Sequence, residues 1–393
     1  MKPTIRRSVL LATALACLVA LAASPSGEAG DRDLLQSLRP IVRTKKIAPG
    51  VLFTRIVERQ VPRRTFVLKI DPSKAVTVDM ALAKPRMPAR RETSGIARAH
   101  DALAATNGDF SVRNVGRMVH AFAQDGDLVQ TSGPGSAFFA LRRDETDAFV
   151  GTPRMDVTVT NQTTGQTLRI DRWNHGGPTP GEIVAFSPLG GSLEAPPPFT
   201  CSVRLLPQTS PATDPGGVFV DHVVDEVGCP ETAMPRSGGV VLSAAPATDE
   251  ATQLLAMTPG ASMRVRWALG WDDVFDVIGG LPVLLQDGQV AFDPCFTTFC
   301  NRNPRTAIGW TSNQRLLLVV IDGRQPRWSV GSTLRELADT MRKLGAVDAL
   351  NLDGGGSSTM VVKGDVVNRP SEGQQRRVTT AVLVLPGADP GEQ

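Results

Sequence analysis

The 393-residue sequence has no tyrosine, only four histidines and few charges, which make up 21% of it. Without tyrosine, stacking on sugars or bases must come from few aromatic side chains. The motifs G-x-x-x-x-G-K-[ST], G-x-S-x-G and H-E-x-x-H are missing, which removes the main support for a P-loop, an α/β-hydrolase or a zincin. We find no internal repeat. An apolar content of 41% is typical of a globular chain and excludes disorder, fibres and coiled coils.

The histidines do not show the spacing of metal ligands, and we interpret each as structural: His100, His120, His175 and His222. Glycine and proline, in contrast, are frequent, with 37 and 30 residues. Residues of these two kinds interrupt helices and favour turns. The composition therefore predicts a turn-rich chain with many strands.

The N-terminal segment resembles an export signal. Lys2, Arg6 and Arg7 precede a short apolar run at 9–23, and small residues follow it. Because the apolar run is short for a transmembrane helix, we expect residues 1–29 to be a cleaved signal peptide. An uncleaved anchor is the alternative. Its removal lowers the net charge from +3 to +1. The sequence thus predicts a secreted, periplasmic or cell-envelope protein with no stable membrane span and no nucleic-acid partner.

Export changes the interpretation of the cysteines that follow the signal: Cys201, Cys229, Cys295 and Cys300. An even number of cysteines in an oxidising compartment favours disulfides, and three pairings are possible. We favour the pairs that are nearest in sequence, 201 with 229 and 295 with 300. A metal site is the alternative, although no C-x-x-C motif supports it.

Strand patterns and turn clusters divide the chain into segments. Residues 30–50 are polar and basic and are predicted to be a linker with a short helix near 34–38. One domain is expected over 51–385, followed by a tail at 386–393. Within this domain, residues 154–267 alternate short strands with glycine and proline clusters, which predicts an inserted β-rich part.

The C-terminal third predicts a strand–helix–strand unit. An unbroken apolar run at 316–321 ends at Asp322, a capped amphipathic helix follows over 333–344, and a second strand at 347–352 ends at Asp353. The two strands should run parallel, which brings both aspartates to one sheet edge. We therefore predict an α+β fold with a mixed β-sheet core that contains a C-terminal βαβ unit.

Three glycines and two serines come directly after that second strand: Gly354, Gly355, Gly356, Ser357 and Ser358. Such a run has a high entropic cost unless the chain must approach another group closely. Its N–H and hydroxyl groups would suit an anion. A tight hairpin turn is the alternative, but it needs fewer glycines.

Two further clusters carry candidate binding groups. Arg305 follows a proline and precedes an apolar strand, a position that suits a fixed guanidinium on phosphate, with a structural ion pair as the alternative. Asn107, Gly108 and Asp109 present an amide and a carboxylate, although an ordinary hairpin turn explains this sequence nearly as well.

These motifs, in this order, resemble the phosphodiester glycosidase family over roughly residues 51–385. The motif of three glycines and the one around Arg305 are the most specific. The resemblance rests on NGDF at 107–110, GGLPVL at 279–284, DG at 287–288, RNPRTAIG at 302–309, DGR at 322–324, ALNLDGGGSSTM at 349–360, NRPS at 368–371 and RRV at 376–378.

The resemblance implies hydrolysis of the C1–O bond of a sugar-1-phosphodiester, such as a GlcNAc-1-phosphodiester. Asp353 would be the nucleophile or base, with Asp322 or Asp109 as the second carboxylate. Arg305, the three glycine amides and both serines would hold the phosphate. Further sugar or phosphate contacts would come from Asn107, Asn351, Asn368, Arg369 and Arg376.

Two points stay open at this stage. A divalent cation, Mg²⁺ or Ca²⁺, is possible at Asp322, Asp353 or nearby backbone oxygens, because carboxylates beside phosphate often share one. Two alternative functions also stay open, a non-catalytic envelope protein that binds phosphorylated glycan and a phosphodiesterase that acts at phosphorus.

Overall fold

A computed structural model describes residues 39–112, 115–133, 135–193, 199–214, 216–229 and 239–387. The expected signal peptide and the helix near 34–38 lie outside the described residues. Of the described residues, 48% are in strands and 10% in helices, so the protein is mostly β and the predicted α+β class is wrong. Glycine and proline interrupt the chain so often that few segments are long enough for a stable helix.

The strands of the first half are β1 (Ile41–Ala48), β2 (Val51–Glu58), β3 (Arg63–Ile70), β4 (Val76–Leu82), β5 (Arg91–Glu92), β6 (Ala104–Asn107), β7 (Ser111–Val112), β8 (Arg117–Met118), β9 (Phe122–Gln124), β10 (Asp127–Gln130), β11 (Ala137–Arg142), β12 (Ala148–Gly151), β13 (Asp156–Asn161), β14 (Thr167–Ile170), β15 (Arg172–Trp173) and β16 (Ile183–Phe186). Those of the second half are β17 (Cys201–Pro207), β18 (Ala212–Asp214), β19 (Gly217–Gly228), β20 (Val240–Ala244), β21 (Ser262–Ala268), β22 (Val274–Gly280), β23 (Val283–Gln286), β24 (Gln289–Val290), β25 (Arg305–Thr311), β26 (Leu316–Ile321), β27 (Ala346–Asn351), β28 (Met360–Val362), β29 (Asp365–Val366), β30 (Arg377–Val378) and β31 (Thr380–Pro386). The helices are α1 (Thr93–Ala99), α2 (Asp249–Leu255) and α3 (Leu334–Lys343).

The sheet that carries the candidate site has eight strands in the order β1-β2-β3-β26-β25-β27-β23-β24. Its first strand, Ile41–Ala48, lies in the segment that the sequence analysis assigned to a linker. Most residues of β1 are exposed, with Ile47 as the buried exception. An edge strand of this kind has a polar sequence because its outer side faces water, which explains why it was missed.

The strand–helix–strand unit is present. β26 and β27 run in the same direction, since each pairs antiparallel with β25, which lies between them. Helix α3 begins with the predicted capping box of Thr333 and Glu336 and packs its apolar side into the core beneath this sheet. Asp322 and Asp353 therefore follow strands that end at the same sheet edge, as predicted.

Smaller sheets complete the framework around the site. β29-β28-β6-β31-β4 and β10-β9-β22-β11-β12 each form a five-stranded sheet. Side chains from both pack with the eight-stranded sheet in one cluster that includes Phe66, Met80, Phe139 and Val382. This shared core fixes the ends of β6, β22 and β27 relative to one another, and the candidate site lies at these ends.

The strands between Asp156 and Ala268 pair among themselves. They form a nine-stranded sheet in the order β14-β13-β21-β19-β17-β20-β16-β15, with β18 on β19, over a separate apolar cluster. The predicted disulfide between Cys201 and Cys229 links β17 to the end of β19. The second predicted disulfide, Cys295–Cys300, closes a short loop before β25, so both pairings are confirmed. No described helix has the length and apolar character needed to cross a membrane.

Candidate functional site

The site is built where β6 meets the glycine loop after β27. Asn107, at the end of β6, is fully buried and donates from Nδ2 to the Asp353 carbonyl at 2.7 Å. Its Oδ1 accepts from the Thr306 hydroxyl at 2.8 Å and from the Thr359 amide at 3.1 Å. With both ends of its amide occupied, Asn107 fixes three chain segments. Its predicted contact with sugar or phosphate stays a prediction.

Asp353 is the carboxylate that this arrangement presents. Its amide donates to the Gly108 carbonyl at 3.1 Å, and its Oδ2 accepts from the Ser357 hydroxyl at 2.5 Å. Burial raises the pKa of Asp353 to about 6, opposed by the Ser357 hydrogen bond and the charge of Arg376 and reinforced by the charge of Asp109. Asp353 is thus mostly ionised at neutral pH, and its pKa is close enough to neutral pH for the carboxylate to accept and release a proton.

Asp109 lies next to this carboxylate and holds a histidine. Its Oδ1 is 2.6 Å from Nδ1 of His120, and its Oδ2 accepts from the His120 amide at 2.8 Å. The Phe110 amide also donates to Oδ1, at 2.6 Å. Because Nδ1 is occupied by Asp109, Nε2 is the ring nitrogen that can exchange a proton with another group. Asp109 and His120 therefore form an oriented dyad beside Asp353.

Two glycines of β22 permit the close packing behind this dyad. A Cβ on Gly279 would overlap with Cβ of His120, and a Cβ on Gly280 would overlap with the Asn351 carbonyl. Asn351 donates from Nδ2 to the Leu281 carbonyl at 2.5 Å, while its Oδ1 is buried without a hydrogen-bond partner among the described residues. Because this oxygen can still accept a hydrogen bond, Asn351 stays a candidate for contact with the substrate.

Asp322 reaches the same edge but has a different environment. It is 1% exposed, and its carboxylate accepts from Trp328 Nε1 at 2.7 Å, from Asn368 Nδ2 at 3.0 Å and from the Arg369 amide at 3.0 Å. Burial raises the pKa of Asp322 despite these donors. Through these donors Asp322 positions the segment at 368–369, and its predicted role as second carboxylate stays a prediction.

Asn368 is part of the same scaffold. Its Nδ2 also donates to the Ser358 carbonyl at 3.0 Å, and its Oδ1 accepts from the Met360 amide at 2.8 Å. All of its polar atoms are thereby engaged within the protein. Asn368 thus fixes the strand after the glycine loop, and its predicted contact with substrate stays a prediction.

Arg305 is bonded to protein carbonyls, and its predicted role on phosphate stays a prediction. It is 2% exposed and donates from Nε to the Ser332 carbonyl at 3.0 Å and from Nη2 to the Phe299 and Asn301 carbonyls at 2.6 and 2.8 Å. Burial lowers the pKa of Arg305 to about 10. Its Nε and Nη2 atoms thus join the end of the disulfide-closed loop to the segment at Ser332, and Arg305 holds these segments in place.

The glycine loop is shaped by close approaches. Gly355 has φ +61°, and a Cβ there would lie 3.1 Å from the guanidinium of Arg324. A Cβ on Gly354 would lie 2.7 Å from the Pro304 carbonyl, and one on Gly356 would overlap with the Arg376 guanidinium. Three residues of this loop are therefore glycines because two arginines and a neighbouring backbone come close to it.

The N–H groups of the loop have mostly internal partners. Gly355 donates to the Pro304 carbonyl, Ser357 to Gly354 and Ser358 to Gly355. Ser358 is buried, and its hydroxyl oxygen lies 3.3 Å from that of Thr306. The loop amides are thus less available to an anion than the sequence suggested, and the nearby positive charge comes from the arginines.

Arg376 and Arg324 are the cations beside the loop. Arg376 forms an ion pair with Glu372 and donates to the Ser357 hydroxyl at 3.3 Å. The exposed Arg324 donates from Nε and Nη2 to the side-chain oxygen of Asn303, at 3.1 and 3.0 Å. Phe110 contributes an aromatic wall, with its ring centroid 5.8 Å from that of His120 and 6.0 Å from that of Phe299.

A cation at Asp322 or Asp353 stays an expectation that no described geometry supports, because the Asp322 oxygens already have protein donors. Within the described ranges, one group of carboxylates has the spacing to hold a metal ion, with one oxygen each from Asp79, Asp125 and Asp276 within 4.8 Å. It lies on β4, β22 and the β9–β10 turn, away from the glycine loop. The sequence analysis did not find it.

Sequence reasoning missed two residues of the site itself. Arg324 was within reach, since the motif at 322–324 places it directly after Asp322. His120 has no local signal, because it lies eleven positions after Asp109 in the sequence and only the turn of β7 and β8 returns it to that carboxylate.

Comparison with known proteins supports the resemblance over the C-terminal part of the chain. Residues 211–385 match the phosphodiester glycosidase family model. A segment covering 23% of the chain is 38% identical to N-acetylglucosamine-1-phosphodiester alpha-N-acetylglucosaminidase of Bos taurus, and it spans 18% of that protein. The predicted resemblance is thereby confirmed, while the matched segment is much shorter than the bovine protein.

Solved structures share the fold over most of the chain. A hypothetical protein from Synechocystis superimposes with a TM-score of 0.68 at 20% identity, covering 88% of this chain and 64% of that one. A putative exported protein from Burkholderia pseudomallei superimposes with a TM-score of 0.66 at 21% identity. The match covers 89% of this chain and 97% of that one. At these identities the similarity establishes the fold.

Proposed function

We propose that this protein hydrolyses the bond between the anomeric carbon and the phosphate oxygen of a sugar-1-phosphodiester. The observation that carries the proposal is the position of Asp353, a largely buried carboxylate between the Asp109–His120 dyad and the Arg376-flanked glycine loop. The family match over residues 211–385 and the name of the bovine relative supply the substrate class.

Asp353 is the group that acts on the anomeric carbon, either by attacking it or by activating water. Its pKa of about 6 leaves it ionised at neutral pH, as either role requires. His120, which Asp109 orients through Nδ1, is the residue that we assign to proton transfer, through its Nε2 atom. The second carboxylate thus acts through a histidine in this proposal.

The leaving group makes the larger demand on the site. A phosphomonoester is a weak base and leaves with little help from an acid, so stabilisation of its charge matters more. Arg324 and Arg376 flank the loop and are the groups that we assign to the phosphate. Asn351 is assigned to the sugar, because its orphan Oδ1 can accept from a sugar hydroxyl.

We also propose that the protein is exported. Two disulfides favour an oxidising compartment, and one solved structure with the same fold is named a putative exported protein. Detection of the protein in the culture medium or periplasm, lacking its first residues by mass spectrometry, would support this. Cytoplasmic recovery with reduced cysteines would contradict it.

The experiment is hydrolysis of a GlcNAc-1-phosphodiester in ¹⁸O-labelled water. Cleavage at C1–O forms the new bond from water to carbon, so the label enters the sugar hydroxyl and the released phosphomonoester stays unlabelled. Label in the phosphomonoester would instead indicate a phosphodiesterase that acts at phosphorus.

Asp353→Asn should reduce kcat at least about 100-fold, which is the lower end of the rate loss expected when a general acid or base is removed. Asp365→Asn, an exposed aspartate in the hairpin after the glycine loop, is the matched control and should retain activity. Absence of turnover by the unaltered protein, with binding of phosphorylated glycan intact, would contradict the enzyme and favour a binding protein.

A further inference from the structure

Arginines occupy adjacent positions on one face of the eight-stranded sheet. Strand pairing places Arg43 of β1 directly opposite Arg55 of β2, and Arg55 opposite Phe66 of β3. Because side chains alternate along a strand, Arg64 points to the same face as Phe66. Like charges in directly opposed positions destabilise a sheet, so the arrangement has a cost that the fold alone does not explain.

Arg55 and Arg64, together with Arg369, gather around one indole. The guanidinium carbon of Arg64 lies 3.5 Å from the Trp328 ring centroid, and those of Arg55 and Arg369 each lie 5.6 Å from it. Trp328 is itself fixed by its hydrogen bond to the buried Asp322. We call Arg43, Arg55, Arg64, Arg369 and Trp328 the arginine patch.

The positive charge of the patch is not balanced locally. No ion pair within 4.0 Å is found for Arg43, Arg55, Arg64 or Arg369 in the described part of the chain, whereas the neighbouring Arg63 pairs with Glu58 and Glu336. The Nε atoms of Arg55 and Arg64 are buried without a hydrogen-bond partner there. Asp322, the carboxylate whose charge acts on Arg64, already accepts from Trp328, Asn368 and Arg369.

The patch is connected to the proposed active site. The Arg369 amide is bonded to Asp322, and the adjacent Asn368 donates to the Ser358 carbonyl, at the end of the glycine loop. Arg324, which we assign to the reacting phosphate, follows Asp322 by two residues. A substrate with several anionic groups could thus extend along the protein surface from the glycine loop to the arginine patch.

We propose that the arginine patch binds a second anionic group of the substrate, and that the substrate is a glycan with repeated phosphodiester linkages. This inference rests on the proposed function. The reacting phosphate lies at Arg324 and Arg376, while the phosphate of the next unit lies among Arg43, Arg55, Arg64 and Arg369. An oxyanion there would offset the repulsion between the arginines and give the buried Nε atoms an acceptor.

The test compares two matched substrates that differ only in charge. In one, GlcNAc-1-phosphate is esterified to 1,3-propanediol; in the other, the far hydroxyl of the propanediol carries a second phosphate. The unaltered protein should show about tenfold higher kcat/KM for the second substrate at low salt, and high salt should reduce this ratio because it screens exposed charges.

Arg55→Gln, and the double variant Arg43→Gln with Arg55→Gln, should remove the advantage of the second phosphate. Activity on the singly charged substrate should stay within about twofold, because neither residue contacts the reacting groups. Arg154→Gln, an exposed arginine that precedes β13, is the matched control and should keep the advantage. Inorganic tripolyphosphate should raise the Tm of the unaltered protein more than that of Arg55→Gln.

The outcomes separate the two proposals. Equal kcat/KM for both substrates, or an advantage that survives the double variant, would overturn the patch and leave the proposed function intact. Failure to cleave either substrate would overturn the proposed function and the assignment of this substrate. In that case, a smaller Tm rise with tripolyphosphate in Arg55→Gln would still support the patch as an anion site.

Discussion

At the residue scale, the behaviour of Asp353 depends on three neighbours with opposing effects. Burial and the charge of Asp109 raise its pKa, whereas Ser357 and Arg376 lower it. A carboxylate with a pKa of about 6 gains or loses its proton within the range in which many enzymes work. The activity should therefore rise with pH through about 6 and then reach a plateau.

Two substitutions should move this acidic limb in opposite directions. Ser357→Ala removes a hydrogen bond to the ionised form, so the pKa of Asp353 and the limb should move to higher pH. Asp109→Asn removes a negative charge, so both should move to lower pH, together with a lower kcat because His120 loses its orientation. The measurement is kcat/KM from pH 4 to 8; shifts of the same sign would contradict the assignment of Asp353.

Arg305 should matter for stability more than for substrate affinity. Arg305→Lys keeps the charge but loses the planar group that reaches three carbonyls, and we expect a loss of about 2–4 kcal/mol in the free energy of unfolding. Urea denaturation measures this. KM should change less than about threefold in the folded fraction, and a large rise of KM without a stability loss would restore the phosphate role.

At the scale of elements, the glycine loop depends on the absence of side chains. Gly356→Ala should displace the paired side chains of Arg376 and Glu372 and reduce kcat/KM at least tenfold, because a Cβ would overlap with both. Gly133→Ala is the control, since no atom lies within 4 Å of a Cβ there. Unchanged activity in Gly356→Ala would show that Arg376 does not act on the reacting phosphate.

The elements differ in how far the sequence predicted them. Helix α3 was predicted closely because a capping box, helical spacing and a glycine stop agree within one short segment. β26 and β27 were predicted from unbroken apolar runs, and so was their common direction. An apolar strand was predicted directly after Arg305, but its position between β26 and β27 was not, because pairing between strands distant in sequence leaves no local pattern.

At the scale of the whole molecule, a cluster of carboxylates joins sheets that lie far apart in sequence. Burial raises the pKa of Asp79 to about 6 and that of Glu145 to about 7, and it raises the pKa of Asp276 well above its usual value. Mutual repulsion contributes to each shift. The folded state therefore favours the protonated forms of these groups.

This cluster should make the protein less stable as the pH rises. Because the pKa values in the folded state are raised above those in the unfolded state, the contribution to stability is complete below about pH 4 and is lost through about pH 6 to 7. Tm measured from pH 4 to 8 should show this decline, and Asp276→Asn should flatten it. A Tm that rises over the same range in both proteins would contradict the prediction.

The sequence by itself determined the motifs, the strand–helix–strand unit and the position of Asp353 at the end of its second strand, because each depends on residues close together in the chain. It favoured the two disulfide pairings among three possible ones. Tertiary structure decided the rest. It enclosed Arg305, Asp322, Asn107 and Asn368 as scaffold, brought His120 to Asp109 and assembled the arginine patch. Whether a polar side chain faces substrate or protein depends on donors and acceptors from distant segments. The local sequence does not predict which of these groups will lie beside it.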